Sequence, residues 1–284
     1  MIRLRAPAKV NLSFEVLGRR ADGYHEVRTV LAAVDIADEI ELREAGGLSL
    51  TVEPEGAAPV EDNLVLRAAA LLRDVAPAGA GAAIVLRKRI PVAAGLGGGS
   101  SDAAGALLGL RHLWEIDLSD DALARLAARL GSDVPFFLRG GTALAAGRGE
   151  ELTPLPQPVE RFVVVVVPEE AAAGKTERMY GMLGPQHFSD GAPTGEVARR
   201  LRAGEALGGA LYNAFEAVAP AAYPSYEGLR AAFADAGASA LLSGSGPAMF
   251  ALAAGETEAE ALRERLAERG YDAWAARLLP GGTV

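Results

Sequence analysis

Cysteine is absent from this 284-residue chain, which removes disulfides, iron–sulfur ligation, thiolate zinc sites and a cysteine nucleophile in one step. Histidine is scarce: His25, His112 and His187 stand alone, without the spacing that sets two imidazoles on one metal. No dedicated metal site among the side chains is expected, while Mg2+ on oxygen ligands stays open. Long apolar runs are missing as well. The strongest, Phe162 to Val167, ends at Pro168, far short of the ~18–20 residues that cross a bilayer. No apolar stretch follows the basic start Met1-Ile-Arg-Leu-Arg-Ala-Pro7, so no secretory signal is expected and a cytoplasmic location is.

Positive charge is outnumbered, 28 Lys and Arg against 37 Asp and Glu, for a net −9. That balance opposes the sequence-independent attraction to phosphate backbones and anionic lipid, so neither nucleic acid nor a membrane is expected as a partner. Lysine is the rarest charged residue. Only Lys9, Lys88 and Lys175 occur and every other basic residue is arginine, so each lysine is informative. Half the residues are hydrophobic, enough to bury a core without staples, in one large domain or two fused lobes.

Alternation at period two predicts strands at Val10 to Val16, Val27 to Val34, Glu39 to Arg43 and Leu48 to Val52, after a turn over Gly18 to Gly23. Asp62 reads as the cap of a helix over Leu64 to Val75, and Ser119 as the cap of one over Asp120 to Leu130. Between them lie a strand at Ala83 to Leu86 and a helix from about Ser101 to Leu113. Three prolines within Leu152 to Pro158 suggest a lobe boundary, dividing the chain into 1–153 and 154–284. The second half mixes strands at Phe162 to Val167, near Ala240, at Ala248 to Leu252 and at Ala273 to Leu278 with helices at Thr176 to Met182, Gly195 to Arg202, Tyr226 to Ala234 and Thr257 to Arg269. Both halves read as α+β.

The strongest chemical signal is Pro91-Val-Ala-Ala-Gly-Leu-Gly-Gly-Gly-Ser-Ser-Asp102, a strand-to-helix loop with glycines at 95, 97, 98 and 99. Free amides at a helix start, backed by the positive end of its dipole, make an anion site suited to phosphate. It is neither a Walker A loop nor a Rossmann fingerprint. A second cluster, Ser243-Gly-Ser-Gly-Pro247, suits a hairpin turn or another wall of that pocket. Lys9 and Asn11 share the polar face of the first strand; on an edge strand the plainer reading is a solvated lysine. Tyr24-His25 reads as aromatic packing or as a base-recognition pair. Asp133, before Val134-Pro135-Phe136-Phe137, reads as an N-cap or as an ionisable group against an apolar wall.

In this order, Ala6 to Asn11, Pro91 to Ala104 and Leu242 to Phe250 resemble the three motifs of the GHMP small-molecule kinases. The extended Gly95 to Asp102 run, with Arg20 to His25 and Gly131 to Pro135, is similar to one branch of them. The resemblance implies an α+β, two-lobe fold: an N-terminal lobe like ribosomal protein S5 domain 2 and a ferredoxin-like C-terminal lobe, with the site between. It implies ATP and Mg2+, and a small-molecule acceptor that is a cytidine diphosphate sugar alcohol. The expected oligomer is a monomer or homodimer. Carried over by position, Lys9 and Asp133 would be catalytic. Pro91, Val92, Ala93, Ala94, Gly95, Leu96, Gly97, Gly98, Gly99, Ser100 and Ser101 would bind the ATP phosphates, with Asn63 near the adenine. Asn11, Tyr24 and His25 would hold the acceptor, and Tyr180 is the expected second aromatic on its base. Ser132 and Ala248 depart from the usual alanine and threonine of the pattern. The competing classes are another GHMP kinase, a nucleotide-binding protein without turnover, and an RNA binder using the S5-like lobe, which the net charge opposes.

Overall fold

A computed structural model describes residues 1–169 and 174–282. Two long strands begin the chain, β1 (Ile2–Arg19) and β2 (His25–Glu44), paired antiparallel along their lengths. Where two short strands were expected over 27–43, β2 runs unbroken. Its polar interruption, Asp35-Ile36, is absorbed by a register shift at Pro7/Ala8, so pairing resumes at Ala37. β3 (Leu48–Glu53), α1 (Leu64–Arg73), β4 (Ala82–Arg87), α2 (Gly98–Leu113), α3 (Asp120–Leu130), the short α4 (Val134–Phe137), β5 (Thr142–Ala146) and β6 (Glu151–Leu155) follow. The cap of α1 is Asn63, whose Oδ1 accepts from the Val65 amide at 3.0 Å, and not the expected Asp62, which adopts φ +59°.

The remaining elements are β7 (Phe162–Val166), α5 (Lys175–Met182), α6 (Ala192–Ala203), the two-residue β8 (Tyr212–Asn213), α7 (Ala219–Ala222), α8 (Tyr226–Asp235), β9 (Leu241–Leu242), β10 (Met249–Ala253), α9 (Glu256–Ala267) and β11 (Ala273–Arg277). The first sheet runs β3-β4-β2-β1-β8, with β5 also on β2 and β6 on β5. Pro154 lies in β6, which pairs with β5 alone, so its missing N–H falls at a sheet edge. The second sheet is antiparallel in the order β11-β7-β10-β9. Numbered within that sheet alone it reads 4-1-3-2, the ferredoxin-like arrangement.

Three apolar cores hold these layers. One joins Leu31, Ile40, Leu42 and Leu86 of the first sheet to Val65, Leu72, Leu107 and Leu110 of α1 and α2. Another joins Val164, Val166 and Met249 to Leu229, Phe233, Leu262 and Leu266. The third lies between the sheets, with Val10 and Leu12 of β1 meeting Val163, Val165 and Phe250. Alternate residues of β7 therefore feed different cores, which is why its sequence is an uninterrupted apolar run. The chain also returns to its beginning, since Leu278 bridges Val34 and Asn213 pairs beside Phe14. Among the described residues no helix is long and apolar enough to cross a membrane.

Candidate active site

The glycine loop leaves β4 under tight control. Asp38 Oδ1 accepts from the amides of Arg89 and Ile90 at 2.5 and 2.8 Å, and Lys88 Nζ lies 2.5 Å from Asp38 Oδ2 and 2.7 Å from Asp102 Oδ2. Burial opposes the charge of Lys88, but Asp102 and Asp38 outweigh it and hold its pKa above the usual value. Burial and the like charge of Asp38 raise Asp102 against the pull of Lys88. The helix behind the loop starts at Gly98, ahead of the expected Ser101, because Gly97 caps it at φ +74°. A Cβ on Gly97 would stand 2.8 Å from Phe137 Cζ and 3.1 Å from Lys9 Cγ, so both conformation and space require glycine there. Gly98, Gly99 and Ser100 thus present the free amides of a helix N-terminus. Within this first turn the buried Ser101 Oγ has no hydrogen-bond partner.

Lys9 stands on β1, beside β2 on one side and the glycine loop on the other, where its amide donates to the Leu96 carbonyl at 2.9 Å. The expectation of a solvated lysine on an edge strand fails: Lys9 is 4% exposed and Asn11 1%. The Lys9 ammonium donates to Asn11 Oδ1 at 2.7 Å and to the Gly95 carbonyl at 2.8 Å, and lies 3.8 Å from Asp133 Oδ2. Burial lowers its pKa, with Asp133 partly opposing. Asn11 also donates to Thr29 Oγ1 at 2.8 Å, so both ends of its amide face the protein. Asp133 precedes α4 but caps nothing with its side chain, which is 38% exposed. The capping interpretation therefore fails, and an accessible carboxylate remains beside a buried ammonium.

The turn at 243–246 lies between β9 and β10, as a hairpin, and also walls the loop: Ser243 Oγ donates to the Gly95 carbonyl at 3.1 Å. Asn213 Nδ2 holds the Leu242 and Gly244 carbonyls at 2.7 and 2.8 Å, and Tyr223 donates to the Ser245 carbonyl at 2.6 Å.

His25 lies at the start of β2, with a buried Nε2 that has no partner. Burial first, then the nearby Arg19 charge, lower its pKa, which favours the neutral ring. Its face is covered by Tyr180, with ring centres 4.7 Å apart at 22°, and Phe188 meets it edge-on at 6.2 Å. Tyr180 packs against Phe215 as well, and burial with the Asp133 charge pushes its phenol upward. Tyr24 is exposed, under the Arg148 guanidinium at 5.0 Å. Asn63 donates to the Pro59 carbonyl while capping α1. The structure thus brings Lys9, Asn11, Asp133 and the glycine loop together, with Tyr180 stacked on His25. Sequence reasoning missed Asp38, Asp102, Phe188 and Thr176; of these, only Asp102 lay within a motif.

Two family models match this chain: GHMP kinases N terminal domain at residues 63–141 and GHMP kinases C terminal at 196–272. The chain is 42% identical over 281 residues to the 4-diphosphocytidyl-2-C-methyl-D-erythritol kinase of Symbiobacterium thermophilum, covering 98% of this chain and 100% of that one. With the enzyme of the same name from Pelotomaculum thermopropionicum it shares 45% identity over 260 residues, 89% of this chain and 90% of the other. Among solved structures, a 4-(cytidine 5'-diphospho)-2C-methyl-D-erythritol kinase superposes with a TM-score of 0.82 at 38% identity, over 99% and 100% of the two chains. A homoserine kinase from Cytophaga hutchinsonii shares the fold, with a TM-score of 0.75 at 20% identity over 99% and 95%.

Proposed function

The chain belongs to the GHMP kinases, and we propose that it transfers the γ-phosphoryl of ATP to the 2-hydroxyl of 4-diphosphocytidyl-2-C-methyl-D-erythritol, releasing ADP, a step of the non-mevalonate isoprenoid pathway. The observation that carries the residue assignment is the Lys9–Asp133 pair, 3.8 Å apart at the mouth of the glycine loop. Phosphoryl transfer to an alcohol demands positioning and charge neutralisation more than covalent chemistry. Residues 91–101 receive the phosphates on the amides that begin α2, and Asn63 lies on the adenine side. Asp133 accepts the proton of the acceptor hydroxyl. Lys9, fixed by Asn11 and the Gly95 carbonyl, stands 3.8 Å from that carboxylate and neutralises charge on the moving phosphoryl. Asn11 acts on the acceptor through this lysine. His25 offers its unpartnered Nε2 to the cytosine edge, Tyr24 packs on the ring, and Tyr180 keeps the imidazole in plane. Residues 1–153 carry the transfer groups, and 154–284 close the site with the second glycine turn and Tyr180.

No group of three or more His, Asp or Glu side chains suited to a metal occurs among the described residues. The residues instead fit Mg2+ delivered on the nucleotide, whose remaining ligands are phosphate oxygens and water: Ser101 Oγ is a buried oxygen donor without a partner, next to the phosphate amides. When bound, the ion neutralises phosphate charge. The enzyme acts as a cytoplasmic protein on a small anionic substrate.

Incubation with ATP, Mg2+ and four acceptors, the cytidine diphosphate methylerythritol, mevalonate, homoserine and galactose, tests this reading by ADP release. Turnover with the first alone is expected. Turnover with another acceptor, or with none, overturns it.

A further inference from the structure

Two of the three lysines have carboxylates at hand, and Lys175 has none among the described residues. It opens α5, is 8% exposed, and its Nζ donates to the Gly246 carbonyl. That carbonyl lies 3.0 Å from where a Cβ on Gly95 would stand, so the ammonium rests on the turn that abuts the phosphate loop. The next residue, Thr176, places its hydroxyl 3.1 Å from Ser245 Oγ, tying α5 to the same turn. With the Gly244 and Ser245 carbonyls held by Asn213 and Tyr223, each carbonyl from 244 to 246 faces a donor. The carbonyls of the turn are therefore occupied, and the buried ammonium beside them is a group suited to an anion.

For the fold alone the position is a poor one. The ammonium is buried, has no carboxylate within ion-pair distance among the described residues, and stands at the positive end of its own helix. Burial first, then the like charge of Lys9, bring its pKa down to about 7. The groups that approach it are Lys9 from β1, Asp133 behind Lys9, and the Tyr223 hydroxyl on the Ser245 carbonyl. Glu177 and Arg178, on its own helix, are exposed.

We propose that Lys175 is a further phosphate-contacting cation of this site, meeting the transferring phosphoryl from the C-terminal half as Lys9 does from the N-terminal half. The inference rests on the kinase reading and deepens it. Bound triphosphate supplies the negative charge that the resting site lacks, and the neutral amine form of Lys175 takes a proton from solvent to become the ammonium as the nucleotide enters.

The test compares the full-length parent with Lys175→Met and Lys175→Arg, in steady-state turnover, in melting, and in calorimetry of a non-hydrolysable ATP analogue at pH 7.5 in two buffers of different ionisation enthalpy. In Lys175→Met, kcat/KM for ATP is expected to fall about 10²- to 10³-fold while KM for the acceptor stays within about threefold. Its melting temperature is not expected to fall, because methionine fills the space and removes an uncompensated charge. The parent takes up protons on binding the analogue and Lys175→Met takes up none, while Lys175→Arg regains at least about tenfold of the lost turnover. Three results overturn the proposal: Lys175→Met turnover within about threefold of the parent, equal losses for both substrates with a lower melting temperature, or undiminished proton uptake, which would assign the proton to Lys9. A parent that binds no analogue overturns the kinase reading itself.

Discussion

Lys88 and Lys9 flank the same glycine loop and are held in opposite ways. Beneath the loop, Lys88 sits between two carboxylates at 2.5 and 2.7 Å, whose side chains are 0% and 3% exposed. At its mouth, Lys9 gives its hydrogen bonds to neutral oxygens and meets its one carboxylate, Asp133, at 3.8 Å. The first arrangement gives Lys88 two carboxylates and hides all three groups from solvent, with Asp102 Oδ1 left unpartnered, which suits a permanent joint between β2, the lead-in after β4, and α2. The second keeps a carboxylate accessible, which suits a group that must receive a proton. Burial of an ion pair is therefore no guide to catalysis; solvent access of its carboxylate, 38% for Asp133 against 0% and 3% for Asp38 and Asp102, is the better one.

Substituting each carboxylate system in turn breaks the comparison if it is wrong. Asp133→Asn keeps the shape and removes the basicity, so kcat should drop by ~10² to 10⁴ while affinity for the ATP analogue and the melting temperature hold. Full activity in that variant would make the two lysine sites equivalent. Lys88→Met should act on the fold instead, leaving Asp38 and Asp102 facing each other without their cation at a cost of about 3–5 kcal/mol in urea unfolding. A variant as stable as the parent would mean the joint is not structural.

The aromatic corner carries the comparison to a group without a protein partner. His25→Ala removes an unpartnered nitrogen, and a lost buried hydrogen bond of ~1–3 kcal/mol predicts a loss of about 10- to 100-fold in kcat/KM for the acceptor, with KM for ATP unmoved. Equal losses for both substrates would make His25 a packing residue. The smallest effect expected is with pH. Burial and Arg19 lower the His25 pKa below 6.5, so above that value the ring is neutral in both folded and unfolded chains. Its contribution is fully present there and is lost as pH falls through the lower folded value. Acceptor KM measured from pH 7.5 to 5.5 should stay flat down to 6.5 and rise only below; a rise beginning above 6.5 would contradict the neutral, buried ring.

Much of this was legible in the chain. The glycine loop was, because close backbone approach and φ above zero select a residue type that stands out in any context. The β9–β10 turn and the α+β character of the second half were, because alternation and glycine clusters are local signals, whereas its ferredoxin-like order was implied only by the family resemblance. The long β2 was read as two strands, since Asp35-Ile36 looks like a break until β1 is beside it to absorb the shift. Lys9 looked solvated for a related reason: what covers its strand there is the glycine loop, whose Leu96 carbonyl accepts from the Lys9 amide at 2.9 Å, a contact from 87 positions away.

By itself, then, the sequence determined most element types and the strand–glycine loop–helix unit, since these depend on residue chemistry and short-range spacing, while Lys9 and Asp133 were paired in it only by the family resemblance. Only the tertiary structure decided which lysine lies between two buried carboxylates and which beside an accessible one. Asp38, Asp102 and Lys88 meet across separations of up to 64 positions in a fold whose pairing is set by two sheets sharing a core, as do Lys175 and the turn at 246. Charge at a site depends on what burial and distant segments bring to it, and no local pattern encodes that.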